Sequence, residues 1–254
     1  MIRIKKDNDI VLLKESGRRL ATILRQLIKE VKVGVLPRDL DDQARQLIKE
    51  FGDKPAFLNY RPRGSQLAYP AALCVSVNDV IVHGIPDKKP IQSGDVVTLD
   101  LGLNHRGDFS DMAITVVVDS GNQEVNSLLE ITKQALALGI AAAKNGNHVG
   151  DIGWAIENYI SQNRDYGIVR DISGHGVGFA VHEDPAVPNY GQKGQGEKLV
   201  PGLVLAIEPM ITLGKEETKL LSDGFTFVTL DGSISAHFEH TVLSTKDKPI
   251  ILTV

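Results

Sequence analysis

Asp100, Asp111, His175, Glu208 and Glu239 are four carboxylates and one imidazole, scattered along the chain but each set in a strand-like or glycine-rich context. The carboxylate contexts are Val96-Val97-Thr98-Leu99-Asp100-Leu101, Phe109-Ser110-Asp111-Met112-Ala113-Ile114, Val204-Leu205-Ala206-Ile207-Glu208-Pro209 and Ser233-Ile234-Ser235-Ala236-His237-Phe238-Glu239. Flanks of this kind favour burial. An ionised carboxylate buried without a partner costs several kcal/mol, so four of them call for a compensating cation. Two divalent ions balance four carboxylates, which favours a pair of ions over one. Any one of these acids alone reads as a surface residue of an edge strand; the set reads as a metal site.

Oxygen-rich ligation with a single nitrogen suits Mn, Fe, Co or Zn, and affinity order does not choose among them. Two ions about 3.5 to 4 Å apart make a nucleophile of a shared water near neutral pH and polarise a carbonyl, so the expected reaction is metal-assisted hydrolysis. Glu208 is the candidate for passing a proton to a leaving amine. His83 and His182, not needed as ligands, are candidates to hydrogen-bond the scissile amide and its oxyanion.

His175 sits in Ser173-Gly174-His175-Gly176-Val177-Gly178, where the glycines let backbone and ligand approach closely. A phosphate-binding loop is the competing reading, but the Lys-Ser/Thr ending and the G-x-G-x-x-G spacing are missing. On Glu239's strand, Ser235 and His237 share its face while Phe238 and His240 point away. His237 is therefore a possible neighbour of the site and His240 structural. His105 in a turn and His148 before a helix read as exposed or capping, and Trp154 as core.

The elements that must position these groups follow from periodicity. Apolar residues recur at helical spacing from Asp9 to Glu30, and a shorter helix runs from about Asp39 to Phe51. A Pro/Gly/Arg-rich loop from Lys54 to Pro70 leads to two β-branched runs, Leu73 to Val77 and Val80 to Val82, expected to form a hairpin at Asn78-Asp79. A second hairpin turns at His105-Arg106-Gly107 and aims Asp100 and Asp111 from one sheet face. Helices then recur over Glu124 to Lys144 and Val149 to Asn163, followed by strands to the C-terminus. Aligning Gly34 with Gly146 also pairs Asp39 with Asp151, Leu40 with Ile152 and Ile48 with Ile160, a weak internal repeat. Val82-His83-Gly84-Ile85-Pro86 and Val181-His182-Glu183-Asp184-Pro185 share Val-His-x-x-Pro, each at the end of a strand-like run, which suggests two histidines related by a pseudo-twofold axis.

The chain has 254 residues, 42% apolar and 24% charged, with 28 basic and 32 acidic residues for a net charge of −4. That composition excludes disorder and a fibrous fold and lends no support to nucleic-acid or membrane-surface binding. One cysteine, Cys74, permits no internal disulfide, and the N-terminus lacks a long apolar stretch, so a cytoplasmic location and no membrane span are expected. No Pro/Gly/Ser linker separates the halves, so residues 1–254 read as a single catalytic domain built from two similar halves.

Ser76 to Pro86, Gly174-His175-Gly176-Val177-Gly178, His182-Glu183-Asp184-Pro185, Ile207-Glu208-Pro209-Met210 and Phe238-Glu239-His240-Thr241 resemble the motifs of the methionine aminopeptidases over nearly the whole chain. The resemblance implies an α+β pita-bread fold and removal of the initiator methionine from nascent proteins and peptides with a small second residue. It implies a dinuclear site on Asp100, Asp111, His175, Glu208 and Glu239, with His83 and His182 contacting substrate. Tyr69, Cys74 and Phe225 would line the methionine pocket, Cys74 reading equally as plain strand core. The short type I form is the nearer match; nascent polypeptide N-termini are the expected partners, with the ribosome a candidate to position them, and a monomer is the default. Asp108, Val181 and His237 depart from the family pattern. An Xaa-Pro aminopeptidase or prolidase shares the ligands, but Met210 after Glu208-Pro209 and His240-Thr241 after Glu239 argue against it. A pita-bread binding protein without catalysis is the further alternative, and such relatives typically lack the ligands.

Overall fold

The computed structural model describes residues 2–62, 64, 66–163 and 166–254. The chain opens with helices α1 (Asp7–Lys29) and α2 (Pro37–Glu50), then strands β1 (Lys54–Pro55), β2 (Leu73–Val77), β3 (Val80–Val82), β4 (Val96–His105) and β5 (Asp108–Val117). Helices α3 (Gln123–Ala142) and α4 (Val149–Ser161) follow, then β6 (Gly167–Ile168), β7 (Gly174–Gly176), β8 (Glu183–Val187), β9 (Val204–Ile207) and β10 (Met210–Thr212). The last elements are β11 (Thr218–Leu220), β12 (Phe227–Thr229), β13 (Ser235–His237), β14 (His240–Leu243) and β15 (Ile250–Ile251).

Helix, helix, strands thus occurs twice, as the periodicity predicts, and each helix pair has its own core. Leu20, Leu24 and Leu27 of α1 pack with Leu40 and Ile48 of α2 against Leu99 and Leu101 of β4. Leu128 and Leu136 of α3 pack with Ile152 and Ile156 of α4 against Leu205 and Ile207 of β9. The aligned pairs of the internal repeat take matching places: Gly34 and Gly146 both precede a second helix at positive φ (86° and 89°), where a side chain is disfavoured. Leu40, Ile48, Ile152 and Ile160 are all buried. The two helical layers leave the strands facing a shared interior.

β4 is the centre of the first sheet, paired with β5 along ten residues and with β2 and β1 on its other edge. The second large sheet runs β15-β14-β9-β7-β8. Smaller sheets join β13-β10-β6 and β11-β12-β3.

Four expectations are corrected. β2 and β3 have the expected bounds but form no hairpin: β2 pairs with β4 and β3 with β12, because Asn78 at φ 58° is tied by its side chain to Asp95 and Val96. His182 precedes a strand instead of ending one. His105 is buried, its Nδ1 2.7 Å from Asp53 Oδ1, because the β4–β5 turn packs under the start of the chain's helical layer. Trp154 is half-buried, covered by Lys193 with its Nζ 3.5 Å from the ring centroid. Arg63 and Ser65, within the Lys54 to Pro70 loop, lie outside the described residues, as does Met1. No described helix is long and apolar enough to cross a membrane.

Candidate active site

The β4–β5 ladder sets the first two carboxylates. Asp100 is opposite Ala113 and Asp111 opposite Gly102, so the two acids are diagonal neighbours on one face. Asp111 is locked through its backbone: its N–H donates to Thr241 Oγ1 at 2.8 Å, and that hydroxyl donates to the Asp111 carbonyl at 2.8 Å. Glu239 lies between β13 and β14, and its N–H donates to the Ala113 carbonyl at 3.0 Å, placing it alongside β5. His175 is the middle residue of β7, between Ala186 of β8 and Ala206 of β9. Glu208 follows the last residue of β9, its carbonyl accepting from Asn189 Nδ2 at 3.0 Å. Residues from both halves of the chain therefore converge.

Donor atoms of Asp111, His175 and Glu239 all lie within 4.8 Å of one another. His175 Nε2 is 3.5 Å from Glu208 Oε1 and 4.0 Å from Asp111 Oδ2. Asp100 and Glu208 flank this trio without belonging to it. His237 adds an imidazole, Nε2 3.4 Å from Glu208 Oε2, and is the neighbour expected from strand alternation.

The four acids are between 2% and 6% exposed. Burial, the leading cause, pushes the Asp100 carboxyl up to about 7 and those of Asp111 and Glu239 well above the ordinary range. Repulsion from the neighbouring acids adds to it. Asp100 Oδ1 and Glu239 Oε1 are buried with no hydrogen-bond partner among the described residues. Orphaned oxygens, excess negative charge and one imidazole fit divalent cations of the borderline class.

A cavity of about 270 Å³ opens above these acids. One wall is formed by Phe57, Tyr69, Cys74 and Phe225, which belong to one apolar cluster. Tyr69 and Phe225 meet edge to face, centroids 5.4 Å apart at 83°, and Tyr69 Oη donates to the Gly84 carbonyl at 2.9 Å. The three expected pocket residues are thus brought together. Burial and then Asp100, its partner across β2–β4, push the Cys74 thiol well up, so it packs as a neutral group and not as a thiolate.

His83 directly follows β3 at φ 58°, a left-handed conformation uncommon outside glycine and frequent at functional sites. Its ring lies 6.2 Å from that of Phe227. Burial lowers its pKa to about 4, so it is a neutral imidazole at neutral pH. The His182 ring is 4.3 Å from that of His175; the residue is exposed at the cleft mouth, yet its ring is set among cleft groups, and its pKa is lowered first by desolvation there and then by the two neighbouring histidines. His182 Nδ1 is 2.7 Å from Tyr60 Oη.

Tyr60 and Phe57 were not singled out by sequence. Their only signal was the aromatic content of the Lys54 to Pro70 loop, which has no periodicity to give its side chains a direction.

The sequence profile of metallopeptidase family M24 matches residues 11–246. The chain is 44% identical over 256 residues to a methionine aminopeptidase of Aquifex aeolicus, covering 99% of this chain and 98% of that one. The crystal structure of methionine aminopeptidase from Rickettsia prowazekii superposes with a TM-score of 0.95 at 35% identity, covering all of both chains. The prolidase from Pyrococcus horikoshii OT3 matches with a TM-score of 0.77 at 23% identity, over 99% of this chain and 63% of that one, a likeness of fold alone.

Proposed function

The chain belongs to metallopeptidase family M24, and from that premise we infer that it is a metallo-aminopeptidase that removes the N-terminal methionine from nascent polypeptides. The observation that carries this reading is an apolar slot, walled by Tyr69, Cys74 and Phe225, standing directly over a floor of buried acids. An unbranched apolar side chain fits such a wall, and the polypeptide's amino end then meets the acids. We extend the reading to a small second residue, because Tyr60 and His182 crowd the mouth beside the slot.

Asp100, Asp111, His175, Glu208 and Glu239 would hold two divalent ions, drawn from Mn, Fe, Co or Zn. Such ions supply Lewis acidity and lower the pKa of a water. The chain's own groups do the rest. Glu208 holds a carboxylate where it can take a proton and pass it to the departing amine. His83 and His182, neutral at working pH, hydrogen-bond the scissile amide and the oxygen on which charge develops. The aromatic wall excludes water from the methionine side and orients the substrate.

In this reading the chain is a single catalytic domain that acts as a monomer in the cytoplasm, with the ribosome positioning its substrates. The test is release of free methionine from Met-Gly-x and Met-Ala-x peptides, with x-Pro-y peptides alongside, after reconstitution with each metal. Methionine release abolished by a chelator is expected. Cleavage of x-Pro-y peptides alone would move the chain to the Xaa-Pro peptidases, and no turnover with any metal would leave a binding role.

A further inference from the structure

Lys5 lies in the segment that precedes α1, remote in sequence from every residue that lines the cleft. It is 3% exposed, and its side chain is entirely buried. Nζ donates to Glu183 Oε2 at 2.6 Å, and the Glu183 side chain is itself only 5% exposed. Glu183 Oε1 in turn accepts from the backbone N–H groups of Phe179 and Ala180, at 2.6 and 3.0 Å. One ammonium thus compensates the carboxylate that holds the turn leading into His182.

The surroundings are shaped to let this lysine through. Gly178 adopts φ 141°, and a Cβ there would stand 2.3 Å from Lys5 Cε, so any side chain would evict the lysine. The Gly178 carbonyl accepts from Phe109 N at 2.6 Å, and Lys5 N donates to the Gly202 carbonyl at 2.8 Å. Nζ also donates to the Arg3 carbonyl at 3.2 Å and lies 5.0 Å from the centroid of the Phe179 ring. The last glycine of the Gly174 to Gly178 motif therefore serves the passage of Lys5, not the approach of a ligand.

We propose that Lys5 is a positioning residue for His182: its buried ion pair with Glu183 fixes the turn at Phe179 and Ala180, and so the direction in which the His182 ring meets the substrate. The inference rests on the reading of His182 as a substrate contact. Both oxygens of Glu183 are committed, one to the backbone and one to Lys5. Removing the ammonium leaves a buried carboxylate that must find water or a proton, and the turn opens to supply one. Removing the charge on both sides does not, because a glutamine at 183 still offers an oxygen to the two amides. The pair therefore acts on geometry, and its loss is repairable by neutralising Glu183.

The experiment compares Lys5→Met, the double variant Lys5→Met/Glu183→Gln, and Lys5→Met in a His182→Ala background, all metal-loaded. It reads kcat and KM on Met-Ala-x peptides and hydrogen exchange at the Phe179 and Ala180 amides. Lys5→Met is expected to lower kcat roughly tenfold or more with a smaller change in KM, and to speed exchange at both amides. The double variant is expected to recover most of that loss. In the His182→Ala background Lys5→Met is expected to cost less than about twofold, since coupled residues are not additive. Equal losses in both backgrounds, or unchanged exchange at the two amides, would overturn the proposal. Wild-type turnover in His182→Ala would remove its premise, an outcome told apart from failure of the clamp by faster amide exchange in Lys5→Met.

Discussion

The carboxylate floor and the histidine rim of the cleft are held in different ways. Asp100 and Asp111 sit inside a ten-residue antiparallel ladder, and Glu239 is tied to β5 by a backbone hydrogen bond. His83 and His182 sit outside strands, on turns braced by side chains: Tyr69 Oη donates to the Gly84 carbonyl next to His83 at 2.9 Å, and Glu183 and Tyr60 brace His182. Ladders tolerate loss of one side chain because the backbone bonds remain. Turns held by side chains do not. Substitution on the floor should therefore remove chemistry and leave the scaffold intact, whereas substitution around the rim should degrade alignment in steps.

The largest expected effect tests the floor. His175→Ala removes the single nitrogen donor from a trio whose atoms lie within 4.8 Å of one another. Methionine release should fall by roughly a thousandfold or more, as removal of a metal's contribution of several kcal/mol implies. The circular dichroism spectrum should be unchanged, because β7 keeps its pairing to β8 and β9. A loss of folded signal in parallel with activity would erase the contrast between floor and rim.

The floor also makes a statement about acidity. Without metal, burial raises Asp100 to about 7 and pushes Asp111 and Glu239 well above their ordinary values. The folded state then binds protons that the unfolded chain, with carboxyls near their ordinary values of about 4, has released. Stability of chelated protein should fall as pH rises from about 4 through about 7, and added Mn should restore it at neutral pH by replacing the protons. Thermal melts at several pH values, with chelator and with Mn, measure this. Chelated protein that gains stability over that window would contradict the account.

The smallest expected effect sharpens the rim. Tyr60→Phe keeps the ring against His182 but deletes the bond to Nδ1. Turnover should drop by a few fold, consistent with a net hydrogen-bond contribution of about 1 kcal/mol. The melting temperature should hold. An effect as large as that of His175→Ala would mean that the rim carries chemistry and not alignment.

The same contrast explains what could be read from sequence. Asp100, Asp111 and Glu239 were legible because strand alternation gives a side chain a direction, and His237 was found as a neighbour by that rule. The repeated helix pairs were legible from period 3.6, and their aligned residues fill matching positions in two cores. Tyr60 and Lys5 were not, since each acts from an irregular segment where direction is set by contacts distant in sequence, and Glu183, the first residue of β8, takes its role from the turn before it and from Lys5. His105 was misread for the same reason: a turn residue looks exposed until Asp53 arrives from fifty-two residues away. β2 and β3 had the right residues and the wrong partners, because hairpin logic is local and β3 pairs with β12, near the end of the chain.

The most direct test of the central claim is anomalous scattering from crystals grown with Mn, recorded at the manganese edge. The account predicts two peaks among Asp100, Asp111, His175, Glu208 and Glu239, both lost in His175→Ala along with methionine release. Full methionine release in crystals or solution that show no peak among these five residues, or a peak elsewhere, would contradict it.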